Sequence, residues 1–281
     1  MVRAGVHVSI AGSLAHAAGR AQERGCDCFQ IFTRNPRGWA AKEITGDDAG
    51  NFIEAVRSSR LTPVFAHMPY LPNPASEKPE IYQKSVDALT EELARCHLLG
   101  IPYLVTHLGH ASDSPHAGRK RVIEAINMAM SRFEGDVVLL LENTAGERNS
   151  VGSMLGEIGE VLDGLDSAEY AGLCFDTCHA CAAGYDLRSR EATNLVLKQV
   201  DTDIGLSRLR LIHLNDAKGQ LGSGLDRHEH LGLGTLGESG IRSILTHPSL
   251  NQVPFICETP VDDRRDDAGT IRIVREYAKN D

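Results

Sequence analysis

Eight short apolar segments of strand-like composition recur along the chain, separated by segments with the apolar spacing of amphipathic helices. Alternation of this kind predicts a parallel sheet, because parallel strands are joined by helical crossovers. Eight such units in 281 residues favour closure into a barrel, since (β/α)8 barrels commonly take ~250 residues as one domain. The predicted strands read AGVHVSI, DCFQIFT, TPVFAHM, YLVTHLG, VVLLLENT, YAGLCFDT, LRLIHLND and VPFICETP.

The intervening segments also carry helix stop signals. Two predicted helices, LAHAAGRAQERG and IYQKSVDALTEELARCHLLG, end at Gly25 and Gly100, where a helix C-cap favours glycine. No glycine-rich dinucleotide fingerprint follows the first strand, which argues against an open doubly wound sheet. We therefore predict an α/β fold with one domain over residues 1–281, a single (β/α)8 TIM barrel whose active site lies at the carboxyl ends of the strands.

Composition is that of an ordinary globular protein, with 42% hydrophobic and 24% charged residues. The chain begins in an apolar strand without a signal peptide and holds no apolar run of ~18 residues, so we expect a cytoplasmic protein without a membrane partner. Seven cysteines without disulfide-like spacing indicate reduced thiols. The close pairs Cys26/Cys28 and Cys178/Cys181 each lack a second pair for a thiolate zinc site, so buried packing is favoured.

An apolar residue and a possible metal ligand share one face on each of six predicted strands. Side chains alternate along a strand with period two, so Leu140 would lie in the barrel core while Glu142 reaches the carboxyl end of the same face. Barrel enzymes place their active sites at that end, which directs all six ligands to one pocket. The pairs are Phe65/His67, Val105/His107, Leu140/Glu142, Cys174/Asp176, Leu211/His213 and Ile256/Glu258.

Nine residues form the candidate metal site. One histidine in a strand is more often a hydrogen-bonded core residue than a ligand, but these residues occur together, and His179 and His228 closely follow Asp176 and Asp226. Imidazoles and carboxylates without thiolates suit zinc or manganese, and nine ligands suit about three ions. Clustered ions predict phosphodiester hydrolysis. The set is His67, His107, Glu142, Asp176, His179, His213, Asp226, His228 and Glu258.

The other histidines lack this placement. His7 ends the first strand in the right direction but has no acidic neighbour, so we expect it to support a ligand rather than to bind an ion. Six more are expected on the surface or on helices: His16, His97, His110, His116, His230 and His247.

The formal net charge of −9 argues at first against a nucleic-acid partner, because phosphate binding draws on a basic surface. Three bound divalent ions would add roughly six positive charges where a substrate docks. The acidic composition is therefore a weak objection to a DNA substrate.

Five motifs, GVHVSIAGSL, FTRNPRGW, LLLENTAGERNSVG, GLCFDTCHACAAGYD and HLNDAKGQLGSGLDRHEHLGLG, resemble in order and spacing those of the endonuclease IV family of apurinic/apyrimidinic (AP) endonucleases. The resemblance covers nearly the whole chain. It implies a (β/α)8 barrel with three Zn²⁺ ions that acts on double-stranded DNA. Imidazole and carboxylate ligands also accept Mn²⁺, which is the alternative in one site, and nothing in the sequence demands more than a monomer. The implied reaction cuts on the 5′ side of an abasic site and leaves a 3′ hydroxyl and a 5′-deoxyribose phosphate, with 3′-end-cleaning phosphodiesterase and phosphatase activity besides.

The resemblance also implies three ligand sets and two catalytic residues. Glu142 would bridge the first two sets, and Glu258 would help to orient the attacking nucleophile. The first set is His67, His107 and Glu142; the second is Glu142, Asp176, His213 and Glu258; the third is His179, Asp226 and His228.

An abasic site offers little base edge to read, so its recognition depends on duplex deformability and on side chains that enter the gap. Arg37, Tyr70 and Leu71 match the family's intercalating positions, although Tyr70 and Leu71 taken alone read as an ordinary exposed pair. Four loop cations on the same face are candidates for phosphate contacts or for solvated charge: Arg34, Arg148, Lys218 and Arg227.

The chain departs from the family pattern at residues 72–76, 108–110 and 224–225, which bears on DNA affinity and not on the reaction. Two other functions compete with the endonuclease. A metal-dependent sugar isomerase would share the barrel, but the third ligand set in DRHEH argues against it. A catalytically silent DNA-lesion binding protein would be expected to have lost a ligand, and all nine are present.

Overall fold

The computed structural model describes residues 2–279. Eight parallel strands form a ring, as predicted, and each is shorter than its apolar segment because residues at one or both ends of the segment lie outside the strand. The ring strands are β1 (Ala4–Val6), β2 (Phe29–Ile31), β3 (Val64–His67), β4 (Tyr103–His107), β5 (Val138–Glu142), β6 (Ala171–Asp176), β7 (Leu209–His213) and β10 (Phe255–Cys257). Strands β8 (Asp216–Ala217) and β9 (His228–Glu229) form a separate antiparallel hairpin.

The ring closes between β1 and β2 through a short seam. The other strands pair in the order β1-β10-β7-β6-β5-β4-β3-β2. At the seam His7 and Gln30 form a parallel bridge, and the Val8 amide donates to the Gln30 carbonyl at 2.8 Å. Gly5 of β1 lies so close to β2 that a Cβ atom there would stand 1.9 Å from the Cys28 carbonyl oxygen. The seam therefore requires glycine at position 5.

Helices surround the ring, and their ends follow the expected capping chemistry. Gly25 and Gly100 follow α1 and α3 with φ of 74° and 65°, which confirms the predicted stops. The hydroxyls of Thr45 and Ser114 cap α2 and α4 by accepting backbone N–H groups. The helices are α1 (His16–Glu23), α2 (Gly46–Ser59), α3 (Pro79–Leu98), α4 (Pro115–Ser131), α5 (Leu155–Asp163), α6 (Thr177–Ala183), α7 (Arg190–Asp203), α8 (Gly237–Leu245) and α9 (Asp267–Tyr277).

The core has two parts, a larger layer between the strands and the helices and a smaller one inside the ring. The inner part contains all six apolar residues that the period-two pattern assigned to it, with Cys28 added by β2. Each of the six predicted core residues lies two positions before a predicted ligand, so the pattern placed both correctly. The inner residues are Cys28, Phe65, Val105, Leu140, Cys174, Leu211 and Ile256.

All seven cysteines are buried free thiols, in agreement with the packing interpretation. Burial raises the pKa of Cys26 and of Cys181 to about 11, so both stay protonated near neutral pH. Within residues 2–279, helices that combine the length and the hydropathy needed to cross a bilayer do not occur.

Candidate metal centre

The carboxyl ends of the strands surround a cleft of about 380 Å³. Asp176 and His213 lie fully buried beneath its floor. The other seven predicted ligands line it: His67, His107, Glu142, His179, Asp226, His228 and Glu258.

Glu142, at the end of β5, is the central carboxylate of this cleft and is buried. Its Oε2 atom lies 3.1 Å from His67 Nε2 and 3.4 Å from His107 Nε2. Its Oε1 atom lies 3.1 Å from His213 Nδ1 on the opposite side. One carboxylate thus faces two groups of imidazoles through two different oxygens.

Two carboxylates, one from each strand that neighbours β7, complete the group around His213. His213 Nδ1 lies 3.4 Å from Glu258 Oε2 and 4.0 Å from Asp176 Oδ2. Asn215 links the two carboxylate residues, because its Nδ2 donates to Asp176 Oδ2 at 2.7 Å and its Oδ1 accepts the Glu258 amide at 2.8 Å. The separation of these ligands is therefore set by a buried amide.

The third group joins α6 to the β8–β9 hairpin. His179 Nε2 lies 3.2 Å from Asp226 Oδ1, and His228 Nε2 lies 3.5 Å from the same oxygen. His179 occupies the first turn of α6, which Asp176 caps by accepting the His179 amide at 2.8 Å. Helix capping thus holds Asp176 and His179 in a fixed relation.

The structure brings all nine predicted residues together. Within each of three groups, the possible ligand atoms lie within 4.8 Å of one another. The groups are His67, His107 and Glu142; then Glu142, Asp176, His213 and Glu258; then His179, Asp226 and His228.

Hydrogen bonds fix which nitrogen of four imidazoles carries the proton. In each ring one nitrogen lies near an oxygen that can only accept a hydrogen bond, so this nitrogen must carry the hydrogen. In the neutral ring the second nitrogen then has a free lone pair. The pairs are His67 Nδ1 with Met68 O (2.7 Å), His179 Nδ1 with Asn143 O (2.9 Å), His228 Nδ1 with Glu258 O (3.0 Å) and His213 Nε2 with Gln30 Oε1 (2.9 Å).

The remaining nitrogens face carboxylate oxygens, so lone pair faces lone pair unless a cation lies between them. His228 Nε2 is buried without a hydrogen-bond partner, as such an arrangement requires. Two ligands bound to one tetrahedral zinc stand about 3.3–3.6 Å apart. Four nitrogen–oxygen separations in the three groups, 3.1, 3.1, 3.2 and 3.5 Å, are close to that spacing. The donor set therefore fits divalent metal ions.

Cys174 and Cys178 also lie beside this cluster. Burial raises the pKa of the Cys174 thiol to about 12, and burial likewise raises that of Cys178. In the metal-free protein both thiols are protonated near neutral pH, and each would have to lose its proton to bind an ion. The imidazoles and carboxylates are thus the better donors.

Opposite charges offset one another in the cleft. Burial disfavours the charged form of His179, but Asp176, Asp226 and Glu142 outweigh it and hold the pKa of His179 well above its usual value. Burial likewise raises the pKa of Glu142, but His107 and His213 outweigh it and hold that pKa well below its usual value. A bound cation would replace the protons that these groups otherwise share.

Gln30 is a site residue that the sequence analysis missed. Its Nε2 donates to Glu258 Oε1 at 2.7 Å, and its Oε1 lies 2.9 Å from His213 Nε2. The signal was present in DCFQIFT, where Cys28 and Gln30 repeat the pattern of a core residue followed by an inward polar one. Because glutamine is not a usual metal ligand, a search for metal ligands does not select this position.

Two expectations about histidines were wrong in part. His7 does have an acidic neighbour: its Nδ1 lies 3.6 Å from Glu258 Oε1. The two residues meet because β1 pairs with β10. Its position beside a ligand agrees with the supporting role. His230 is neither on the surface nor on a helix: it is buried, and its Nε2 lies 2.9 Å from Asp262 Oδ1. The loop carrying Asp262 covers it, which periodicity does not indicate.

The three predicted DNA-contacting residues lie exposed on loops at the carboxyl ends of the strands. Tyr70 is 65% exposed and Leu71 39% exposed after β3, and Arg37 is exposed after β2. The Tyr70 amide donates to the Pro36 carbonyl at 3.1 Å, so the two loops are in contact. Their contact with DNA stays a prediction.

The four loop cations do not share one environment. Arg148, Lys218 and Arg227 are exposed, as expected. Arg34 is buried and forms ion pairs with Glu91 and Glu92 of α3. The expectation of a phosphate contact or a solvated charge was therefore wrong for Arg34, because its partners come from a helix about 57 residues away in sequence.

Known proteins resemble this chain in both sequence and fold. The sequence pattern of the xylose isomerase-like TIM barrel family matches residues 18–279. A protein of Methanoculleus marisnigri named "Probable endonuclease 4" is 60% identical over 280 residues, covering 99% of each chain. The chain belongs to the endonuclease 4 family. The predicted family and barrel are thereby confirmed.

Solved structures agree with this membership. The crystal structure of endonuclease IV from Thermus thermophilus superposes with a TM-score of 0.87 at 35% identity, covering 98% of each chain. The structure of a D-tagatose 3-epimerase-like protein has a TM-score of 0.73 at 20% identity, covering 98% of this chain and 97% of that one. The second likeness shows a shared fold alone.

Proposed function

We propose that this endonuclease 4 family member is a DNA-repair AP endonuclease that hydrolyses the phosphodiester bond on the 5′ side of an abasic site. Its products would be a 3′ hydroxyl and a 5′-deoxyribose phosphate. The observation that carries the proposal is the sharing of Glu142 between two ligand groups, with a third group across the same cleft. We extend it to 3′-end-cleaning phosphodiesterase and phosphatase activity, since both break a phosphate ester bond.

The three ligand groups are proposed to hold three Zn²⁺ ions, with Mn²⁺ as the alternative in one of them. When bound, the ions would supply an activated water near neutral pH and offset the charge that develops on the phosphate and on the leaving oxygen. Glu142 would hold two ions at a fixed separation, because each of its oxygens faces a different group of imidazoles.

Glu258 is proposed to orient the attacking water. Its Oε1 atom is held by Gln30 at 2.7 Å, and its Oε2 atom faces His213 at 3.4 Å. Because one oxygen is tied down, the carboxylate has little freedom to rotate. The other faces the second ligand group, so the carboxylate would help to orient a water molecule activated there.

The rim of the cleft is proposed to recognise the lesion. Phe32 packs against His67 and Tyr70, with ring centroids 5.7 and 5.3 Å apart, and forms an apolar wall beside the ligands. Tyr70, Leu71 and Arg37 would enter the gap left by the missing base. A normal nucleotide would resist this entry through its stacking, so selectivity for abasic sites follows from the cost of unstacking.

One barrel carries all nine proposed ligands, so a second copy is not needed to complete the site. We propose a cytoplasmic monomer with a single domain over residues 1–281, of which residues 1 and 280–281 lie outside the described range.

The experiment that tests this function uses a duplex with one tetrahydrofuran abasic analogue, which cannot undergo β-elimination. The purified protein is assayed for bound metal, and the product ends are identified. We expect a cut on the 5′ side that leaves a 3′ hydroxyl, and we expect chelation or Glu142→Gln to abolish it. The matched control is Glu134→Gln, an exposed carboxylate between α4 and β5 at the opposite end of the barrel.

Intact DNA from a protein that holds about three ions per chain would overturn the endonuclease proposal. Sugar isomerisation would then be tested by substrate turnover, and lesion binding by gel shift with the same duplex. A cut on the 3′ side, or one that survives removal of the metal, would retain a nuclease but contradict the mechanism.

A further inference from the structure

A cluster of buried charges lies between α3 and the loop that joins β2 to α2. Arg34 is 5%, Glu92 0% and Arg95 8% exposed, and none of the three belongs to the ligand groups. Glu92 and Arg95 stand three residues apart and so share one face of α3. Charged side chains are rarely buried to this extent without a partner, because their desolvation is costly.

The cluster holds the loop at its start, its middle and its end. At the start, Thr33 donates its hydroxyl to Glu92 at 2.7 Å, and its carbonyl accepts from Arg95 at 2.6 Å. In the middle, the Trp39 carbonyl accepts from Arg34 at 3.1 Å. At the end, the Lys42 carbonyl accepts from Arg95 at 2.8 Å. The guanidinium of Arg95 thus ties the two ends of segment 33–42 together.

This segment is the one that carries Arg37, and it also touches the second proposed DNA-contacting loop. The Pro36 carbonyl accepts the Tyr70 amide at 3.1 Å. Phe32, which precedes the segment, lies against the Tyr70 ring. A displacement of segment 33–42 would therefore move both Arg37 and the support of Tyr70.

Segment 33–42 contains no helix or strand of its own. A loop without internal secondary structure samples many conformations unless other contacts restrict it, and ordering it upon binding would weaken the complex. Backbone carbonyls held by buried guanidinium groups supply such a restriction before any ligand arrives.

We propose that Glu92 and Arg95 are positioning residues that hold segment 33–42 in its DNA-binding conformation in the free protein. The inference rests on the proposed function, because it assumes that Arg37 and Tyr70 contact the abasic duplex. Glu92 and Arg95 act through the loop and touch neither the ligand groups nor the substrate. Their loss therefore weakens DNA binding and leaves the chemical step in place.

The test variant is Arg95→Lys. It keeps a positive charge beside Glu92, but one ammonium group cannot reproduce the fork that reaches both the Thr33 and the Lys42 carbonyls. We expect KM for the tetrahydrofuran duplex to rise about tenfold, because the loop would no longer be ordered before DNA binds. We expect kcat at saturating DNA and the bound metal to stay within about twofold of the unchanged protein.

A second measurement reads the loop without any substrate. Trp39 is the single tryptophan of the chain and lies in the middle of the segment, so intrinsic tryptophan fluorescence reports on this loop alone. Its ring is half-buried beneath Lys84 of α3, whose Nζ lies 5.9 Å from the ring centroid. In Arg95→Lys we expect stronger quenching by acrylamide and lower fluorescence anisotropy than in the unchanged protein.

Arg119→Lys is the matched control. Arg119 of α4 is a partly buried arginine that donates to Glu157 and Glu160 of α5 at 2.8 and 2.7 Å, away from segment 33–42. It should change neither KM nor the fluorescence of Trp39. Should Arg95→Lys fail to fold, Thr33→Val removes the hydroxyl that Glu92 and Arg95 share without altering any charge, and the same two changes are expected.

Unchanged Trp39 quenching together with unchanged KM would overturn the inference. A fall in kcat and bound metal at constant KM would also overturn it, since that result indicates a role in the metal centre or the fold. If the unchanged protein does not cut the duplex, the proposed function fails, while the fluorescence of Trp39 still decides whether the cluster orders the loop.

Discussion

At the scale of single residues, the orientation of an imidazole depends on what its outer nitrogen contacts. His213 presents Nδ1 to Glu142 and Glu258 because Gln30 accepts from Nε2, and the same glutamine donates to Glu258. One neutral amide therefore sets a tautomer and a carboxylate position together. Residues that hydrogen-bond to metal ligands commonly affect metal affinity as strongly as some of the ligands do.

Gln30→Met tests this dependence. Methionine has a similar length but neither accepts from His213 nor donates to Glu258. We expect incision, measured as kcat/KM on the abasic duplex, to fall about 10–100-fold and one bound ion to be lost or weakened. Gln83→Met, at an exposed position of α3, is the control. Full activity and full metal content in Gln30→Met would show that His213 and Glu258 are held by their own strands.

At the scale of elements, the carboxyl ends of the strands face one cleft only because the ring closes. The seam between β1 and β2 is its shortest junction, with one bridge between His7 and Gln30. Gly5 allows the two backbones to approach, since a Cβ at that position would overlap the Cys28 carbonyl. The same seam places Gln30 beside the ligands of β7 and β10.

Gly5→Ala should destabilise the seam. The added methyl group has no room, and overpacking of a buried position costs about 1–3 kcal/mol in the free energy of unfolding. We expect a lower Tm by calorimetry, with incision reduced at temperatures below that transition because Gln30 shifts with β2. Gly19→Ala is the control: at this exposed position of α1 the added Cβ meets no atom within 4 Å, and the change should raise the free energy of unfolding by about 0.5–1 kcal/mol. An equal Tm for the two variants would contradict the close approach at position 5.

At the scale of the whole molecule, the chain is acidic, and its proposed metal centre adds carboxylates that are buried. The chain carries a formal net charge of −9, and two of its buried carboxylates are Glu142, which lines the cleft, and Asp176, which lies beneath the cleft floor. Buried charges of one sign oppose folding unless counter-charges accompany them. Metal binding is therefore expected to stabilise the fold as well as to supply the chemistry.

Removal of the ions tests this coupling. Each occupied site adds about 4 kcal/mol to the free energy of unfolding when the concentration of the free ion exceeds its Kd a thousandfold. We expect a chelator to lower Tm and abolish incision together, and Zn²⁺ or Mn²⁺ to restore both. Glu142→Gln should show a smaller change in Tm on chelation, because it removes the ligand shared by two groups. The same Tm with and without chelator would show that metal binding does not stabilise the fold.

Local patterns were sufficient for most of the barrel and for the ligands on its strands. Six apolar-ligand pairs were placed correctly because the direction of a side chain in a strand depends only on the parity of its position. The helix stops at Gly25 and Gly100 followed from a conformational preference of the residue itself. Asp226 and His228, on a hairpin, were assigned through their close spacing and their occurrence with the other ligands, and not through strand periodicity.

The sequence by itself determined the order of strands and helices, the two faces of each strand and the family, because each depends on neighbouring residues or on motif spacing. Only the tertiary structure decided the partners of Arg34, His7 and His230, since each comes from an element distant in sequence. Gln30 belongs to both cases: its inward direction followed from period two, but its contacts with His213 and Glu258 exist only once the ring has closed. Long-range contacts of this kind depend on how the elements pack, which no local pattern specifies.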